Sequence, residues 1–546
     1  MKKCDIDCCD ECEREVHVDN KCILHCKKND YQKDKHSSLL SKFYNAFLDY
    51  VVKETPKYIK LTGINFYAKA YLKSRKFDNE MYNMELKKNI LNLNHIHFPA
   101  RDGRDTFDYL KILNLFGVID FNYCEFYLSD LELKDVKCFF EDCKFHKNWA
   151  LYDYSLLDNQ DNVIYQACIF KGKVSSYIPD NKELVTYRYS QFDYTCRFEN
   201  SIEFDRVKFE EMLFNTNQNN YLEEKNCIKL LKFENCTFEK KFKLNNFALN
   251  EFKCTESIFK KKFEFKENKV DNFSIFDTNF ENISDFHGSK FKKFRIEKSI
   301  FNDFAGFENC VFGATNNKKK GKIATFKYAT FKDILNLRDT KFLSGLNIDY
   351  INLQKGANFL NTKIDPANTN RETFRLIKYH FDSIGNIIEA NKYYQKEMEK
   401  REEELKEEKN YFEWIIFKLH DISSKHSQDW FLALFWIVNI TLLFSHFEYM
   451  WHEDKTEYIV LFISSIFIIW ISVLKKFLLA GTFILYVISS FFREDFNLKS
   501  FSNTINPFSM MNSDSMLMFS TLIYKIVIAY LVYQLIISIR QNTRRK

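Results

Sequence analysis

From Phe121 to Ile364 large apolar residues return every five or six positions. Neither a helix of period 3.6 nor a half-buried strand of period two produces that spacing. Phe121, Phe126, Leu131 and Val136 form one run, and Phe140 and Phe145 follow after a slip. Phe265, Val270, Ile275, Phe280, Phe286, Phe291, Ile296 and Phe301 form a longer one. Leu337, Phe342, Ile348, Leu353, Phe359 and Ile364 form the last. A second signal sits two residues before each large residue. Cys124, Cys138, Cys143, Cys168, Cys196, Cys236 and Cys310 each precede a Phe by two. Ser129, Ser284, Ser289, Ser299, Ala329, Thr340, Ala357 and Thr362 hold the same place before Leu, Phe or Ile. Residues i−2 and i of a strand share a face, so each pair points into one interior. A unit of five residues cannot bury its own apolar face. It has to stack on copies of itself, which makes a solenoid. The register puts Phe291 and Phe301 inside and Lys292 and Lys298 outside.

The stretch SDFHGSKFKKFRIEKSIF (284–301), with NYCEF, FEDCKF, FENCTF and FENCVF, resembles pentapeptide repeats. The resemblance implies a right-handed quadrilateral β-solenoid over 121–364, with a large residue at the centre of each side and a small one at i−2. Cys and Ser stand here where that family prefers Ala. Six-residue steps interrupt the fives, and insertions fall near 146–164, 171–187, 215–230 and 313–322. As small core residues the cysteines of this region need no redox role. Some pentapeptide-repeat proteins imitate duplex DNA as acidic rods. With 38 Lys+Arg against 35 Asp+Glu over 121–364, DNA mimicry does not suit this chain.

Six of the fifteen cysteines lie in the first 26 residues. No apolar run precedes residue 39, so no secretory leader is expected and the thiols belong in a reducing cytoplasm. A Cys cluster there reads as metal binding. Cys9-x2-Cys12 and the pair Cys22 and Cys26 make two ligand pairs around one loop, with His25 or Cys8 as substitutes. Four such ligands suit a structural Zn²⁺. Residues 1–30 are therefore read as a zinc knuckle. Residues 31–120 are expected to be mainly helical, from apolar positions at Leu39, Leu40, Phe43, Phe47 and Val51, and carry no assigned role.

Residues 365–425 read as a helical hairpin and charged neck. IGNIIEANKYYQKEME resembles one tetratricopeptide unit, with Gly385, Ala390 and Tyr394 at its turn and packing positions. Lys396 to Lys409 is almost wholly charged: a solvated strut, or a coiled-coil contact within a homo-oligomer. Residues 426–546 hold four apolar stretches: Trp430–Phe447, Tyr458–Leu474, Phe477–Phe492 and Ser515–Ile539. These predict about four transmembrane helices, or three if the second and third are fused. Lys475, Lys476 and the basic tail from Arg540 place the N-terminal domains and the C-terminus in the cytoplasm of a chain integral to an inner or plasma membrane. Lys525 inside the fourth stretch is either functional or snorkels to headgroups. Asn439, Gln534 and Tyr530 read as interhelical hydrogen-bond partners.

The whole chain has 80 Lys+Arg against 74 Asp+Glu, a mild excess that demands no nucleic acid. Only 12 glycines occur, with no phosphate-binding loop among them. There is no HExxH, no GxSxG and no Cys/His dyad outside the cluster, so no enzyme is expected. The leading expectation is a membrane-anchored scaffold whose solenoid binds a protein partner. The alternative is an oligomeric channel or transporter gated by that solenoid.

Overall fold

The computed structural model describes residues 3–4, 12–28, 38–61, 64–100, 107–155, 163–177, 184–215, 227–313, 322–452, 456–475, 477–492, 502, 504–507 and 519–543. The chain divides into two compact units, Met1–Thr369 and Asn370–Lys546.

In the first unit short parallel strands stack in sheets of five, twelve, six, eight and six strands, a β-solenoid-like arrangement. The register is regular at its centre. Thr237 pairs with Ile258, Ile258 with Asn279 and Asn279 with Ile300, an offset of 21 residues each time. Three steps of five and one of six fill such a coil, so the six-residue steps belong to the period. Because each coil repeats the register, identical side chains fall over one another. Phe238, Phe259, Phe280, Phe301 and Phe331 form one column, with ring centroids 4.5–5.1 Å apart. Phe98, Phe126, Phe145, Phe170 and Phe198 form another. That spacing follows the strand-to-strand distance of about 4.8 Å, and 33 of the 58 phenylalanines lie within 121–364. Phe291 and Phe301 are buried and Lys292 and Lys298 exposed, as the spacing requires.

The small residues do more than leave room. The Cys143 thiol donates to the Phe121 carbonyl at 3.3 Å, Cys310 to Phe286 at 3.1 Å, Ser289 to Phe265 at 2.7 Å and Thr340 to Phe307 at 2.8 Å. Each acceptor belongs to a large residue one coil earlier. Alanine, which holds this place at 329 and 357, cannot make the bond. Burial pushes the Cys143, Cys168 and Cys196 thiols well above their usual range, so they stay protonated and unreactive. Ser129 departs from the pattern and is exposed.

Corner residues carry a cost. Asn235, Glu256, Asp277, Lys298 and Tyr328 all have positive φ and recur with the coils. Asn and Asp tolerate that region best after Gly, and long side chains do not. Lys298 has φ 49°. Lys298→Asn should therefore raise stability by up to about 1 kcal/mol, measured by chemical denaturation.

Two expected boundaries move. Strands at Trp149–Leu151 and Val174–Ser176 join the stack, so the expected insertions there are partly repeat. The stack also begins earlier than 121. Ile90–Asn94 pairs with Val118–Asn122, and His97–Phe98 with Glu125–Phe126. Residues 31–120 thus combine helices with the start of the strand stack. They contain α1 (Ser38–Glu54), α2 (Ala68–Ser74) and α3 (Glu80–Leu86), then the first-coil strands Ile90–Asn94 and His97–Phe98, then α4 (Leu110–Leu113). Their role is visible. Phe43 and Phe47 of α1 meet Phe98 edge-on at 6.2 and 5.7 Å. The Tyr50 hydroxyl donates to the Asn92 carbonyl and accepts from the Asn94 N–H, both at 3.4 Å. The helix covers a strand edge that would otherwise invite pairing with another chain.

The second unit is helical. α5 (Arg371–Ser383) and α6 (Ile387–Glu407) form the expected hairpin around Gly385, whose φ of 76° makes the turn. Asn370, Asn386 and Asn410 each cap the helix that follows. The charged end of α6 is not a bare strut. Leu405 is buried, and Glu402 pairs with Lys418 of α7 (Tyr411–Ser424) at 3.1 Å. Then come α8 (Trp430–His452), α9 (Thr456–Lys475), α10 (Leu478–Phe492) and α11 (Phe519–Thr543). Among the described residues two helices are long and apolar enough to cross a membrane, over Trp430–Glu448 and Phe519–Gln541; Ile459–Leu474 and Leu478–Phe491 are shorter. Inside them apolar Leu442, Ile469, Leu485 and Ile528 are buried together with polar groups. Asn439, His446, Ser465 and Ser489 are buried, while Ile463, Phe467, Leu479 and Phe483 are exposed.

Candidate functional site

The N-terminal cluster forms around two turns. Lys3–Cys4 pairs antiparallel with Cys12–Glu15, and Cys4 stands opposite Cys12 in that register. Asp19 and Asn20, both at positive φ, close a two-residue hairpin between Val18 and Lys21. The chain then makes one helical turn, with the His25 and Cys26 N–H groups donating to the Cys22 carbonyl. That turn sets Cys22 and His25 side by side. The Cys22 sulfur lies 3.3 Å from His25 Nδ1, and the Cys4 sulfur 3.4 Å from the same nitrogen. All three groups are buried and lie within 4.8 Å of one another. Around a tetrahedral Zn²⁺, bonds of about 2.3 Å to sulfur and 2.0–2.1 Å to nitrogen put S and N about 3.6 Å apart. The cluster is close to that geometry and could hold a metal ion.

Its surroundings favour the ligand forms. Burial, reinforced by the positive charge of neighbouring His97 and Arg14, pushes His25 down to about 3. The ring is therefore neutral at pH 7, the form that binds a metal. The Cys22 N–H donates to the Cys4 sulfur at 3.0 Å. Such bonds orient and stabilise a metal thiolate.

Of the residues expected at the knuckle, Cys22 and His25 are in the cluster. Cys26 is set beside Lys28 instead, with Nζ 3.4 Å from its sulfur. Cys4, not part of the expected quartet, joins the cluster through the strand pairing. Cys8, Cys9 and the Cys12 side chain lie outside the described residues. The segment that carries the cluster rests on the first coil, where the His97 N–H donates to the Leu24 carbonyl at 2.9 Å.

Beneath it lies a group that sequence reasoning missed. Glu125 stands in register between His97 and Lys144. It accepts from His146 Nε2 and from the Tyr127 hydroxyl, both at 2.9 Å. Burial alone would raise its carboxyl, but these bonds and nearby His97 hold it down to about 2. A carboxyl depressed from 4.5 stabilises the fold fully above pH 4.5, and that contribution is lost as pH falls toward 2. Unfolding followed by circular dichroism should show this acid limb, and Glu125→Gln should flatten it.

The polar candidates of the helical unit are all engaged. Lys525 Nζ donates to the Thr504 and Asn506 carbonyls, each at 2.8 Å. Asn439 Nδ2 donates to the Phe435 carbonyl at 2.7 Å and to Thr482 on α10 at 2.9 Å. Gln534 accepts from Ser424 at 3.1 Å and Ser427 at 3.3 Å, so it fastens the turn after α7 to α11. His446 was not foreseen. Its ring joins three helices, with Ser465 of α9 at 3.0 Å and Ser489 of α10 at 2.9 Å. The signal was present: Asn439 and His446, Ser465 and Ser472, and Thr482 and Ser489 are polar pairs seven residues apart on three successive apolar helices. No family model matches the chain, and no curated protein or solved structure matches it either.

Proposed function

We propose that the chain is a non-enzymatic scaffold anchored in an inner or plasma membrane, displaying a pentapeptide-type solenoid to a protein partner in the cytoplasm. The observation that carries the membrane part is the exposure of large apolar side chains on α8 to α11 around buried polar ones. Hydrocarbon solvates apolar side chains and rewards polar groups that pair inside. The period of four steps per coil supports a right-handed, four-sided solenoid. The Cys4, Cys22 and His25 cluster supports one structural Zn²⁺. The stacked coils give a long, charged, regular surface of the kind that solenoids use in recognition. The basic residues of 475–476 and 540–546 favour four spans with both termini cytoplasmic.

The buried seam of Asn439, His446, Ser465 and Ser489 favours a second reading, a channel or transporter. Planar-bilayer recording of the purified full chain tests both readings. The scaffold predicts silence, a specific cytoplasmic protein in pull-downs, and indifference to Lys525→Leu. Discrete conductance steps altered by Lys525→Leu would overturn it.

A further inference from the structure

We propose that α7 is an in-plane helix whose apolar groove against α8 and α11 holds an acyl chain of a bilayer phospholipid. The inference rests on the membrane reading above. Along α7, Phe412, Ile415, Ile416, Leu419 and Ile422 follow the i, i+3, i+4, i+7 spacing of one helical face. All five are exposed, Phe412 at 88% and Ile416 at 65%. A helix in water would turn such a stripe inward. This one is held: Lys418 is paired to Glu402, Ser424 donates to Gln534, and Trp436 Nε1 donates to the Ile422 carbonyl at 2.8 Å.

Between the stripe and its neighbours lies a groove of about 480 Å³. Ile416 and Leu419 form one wall, Trp436 and Ile440 of α8 a second, and Ile526 and Val527 of α11 the third. The polar groups in its lining, Ser423 and Tyr530, face each other at 3.4 Å. Such a lining offers nothing to a polar ligand. Two of the three walls belong to the helices long and apolar enough to cross a membrane. Ile440 lies ten residues into α8, about 15 Å along its axis. Whatever solvates those helices at that depth also reaches the groove, and in a bilayer that is a lipid tail. Trp430 and Lys425, both exposed at the turn joining α7 to α8, are the residue types that sit at headgroup level. An acyl chain in the groove keeps the stripe out of water, so the stripe is stabilised only where lipid is present.

The test uses the full chain in vesicles of phosphatidylcholine and phosphatidylglycerol, with a benzophenone photoprobe at Leu419 of the groove wall or, as a reference, at exposed Ile463 of α9. Mass spectrometry should find phospholipid adducts at both positions. Filling the groove with Ile440→Trp, or with Ile526→Trp in a second variant, should lower the Leu419 adduct on the order of tenfold and leave Ile463 unchanged. An adduct at Ile463 without one at Leu419 would overturn this inference alone. A cross-linked dimer at Leu419 would overturn it in favour of a second copy, and an adduct insensitive to both fillings would show that the groove holds no chain. No adduct at either position would overturn the membrane reading and this inference with it.

Discussion

Phe291→Asp should leave the β unit unfolded or aggregated, while Lys292→Asp beside it should change stability by less than about 0.5 kcal/mol. The Phe291 ring is 1% exposed, stacks on Phe312 at 5.2 Å, and meets Phe273 and Phe294 at 5.0 Å. Removing a buried Phe side chain costs about 3–5 kcal/mol through lost transfer energy and the cavity left behind. An aspartate adds an unpaired charge among aromatic rings, which costs more again. Against a total stability of about 5–15 kcal/mol, the sum is not survivable. Lys292 points outward and reaches Asp271 at 2.6 Å. Exposed pairs of that kind contribute about 0–1 kcal/mol. Limited proteolysis and circular dichroism of the full chain separate the outcomes. Equal tolerance at the two positions would mean that the register of the coils is misplaced.

The stack was legible because its pattern is repeated. Each coil states the same rule, so Phe280 and Phe301 confirm one another, and a slip in one place is corrected in the next. The cap was not legible because it occurs once. The pattern at Leu91 and Phe98 is too short to register as a repeat, although both are buried in the first coil. The inward polar seam of the helical unit was half legible. Asn439 stands out as a polar residue in an apolar run, but its partner Thr482 lies 43 residues away, and no local rule connects them. The same limit applies to the cluster. Spacing along the chain pairs Cys22 with Cys26, whereas a strand pairing that spacing does not encode brings up Cys4. Local chemistry could name the segment that holds the candidate metal site. It could not choose among its thiols, since that choice depends on how the segment folds back on itself.

That choice has a measurable consequence. The purified full chain should carry about one Zn²⁺, and Cys4→Ser, Cys22→Ser and His25→Ala should each lose it. Cys26→Ser should keep it, because the Cys26 sulfur is engaged by Lys28 rather than by His25. Structural zinc contributes about 10–16 kcal/mol of apparent binding free energy in small peptides. That is as large as the stability of a whole domain, so loss of a ligand should melt the knuckle outright. The effect should spread to the first coil. Leu24 is fully buried and its carbonyl receives the His97 N–H. Without the knuckle, the edge at His97–Phe98 loses part of its cover. Hydrogen exchange should therefore accelerate at 12–28 and 90–98 after chelation, and stay unchanged in the coils from 237 to 312. Metal analysis that finds no zinc in the unmutated chain would end the idea. Zinc lost on Cys26→Ser but kept on Cys4→Ser would restore the pairing that the sequence spacing suggests.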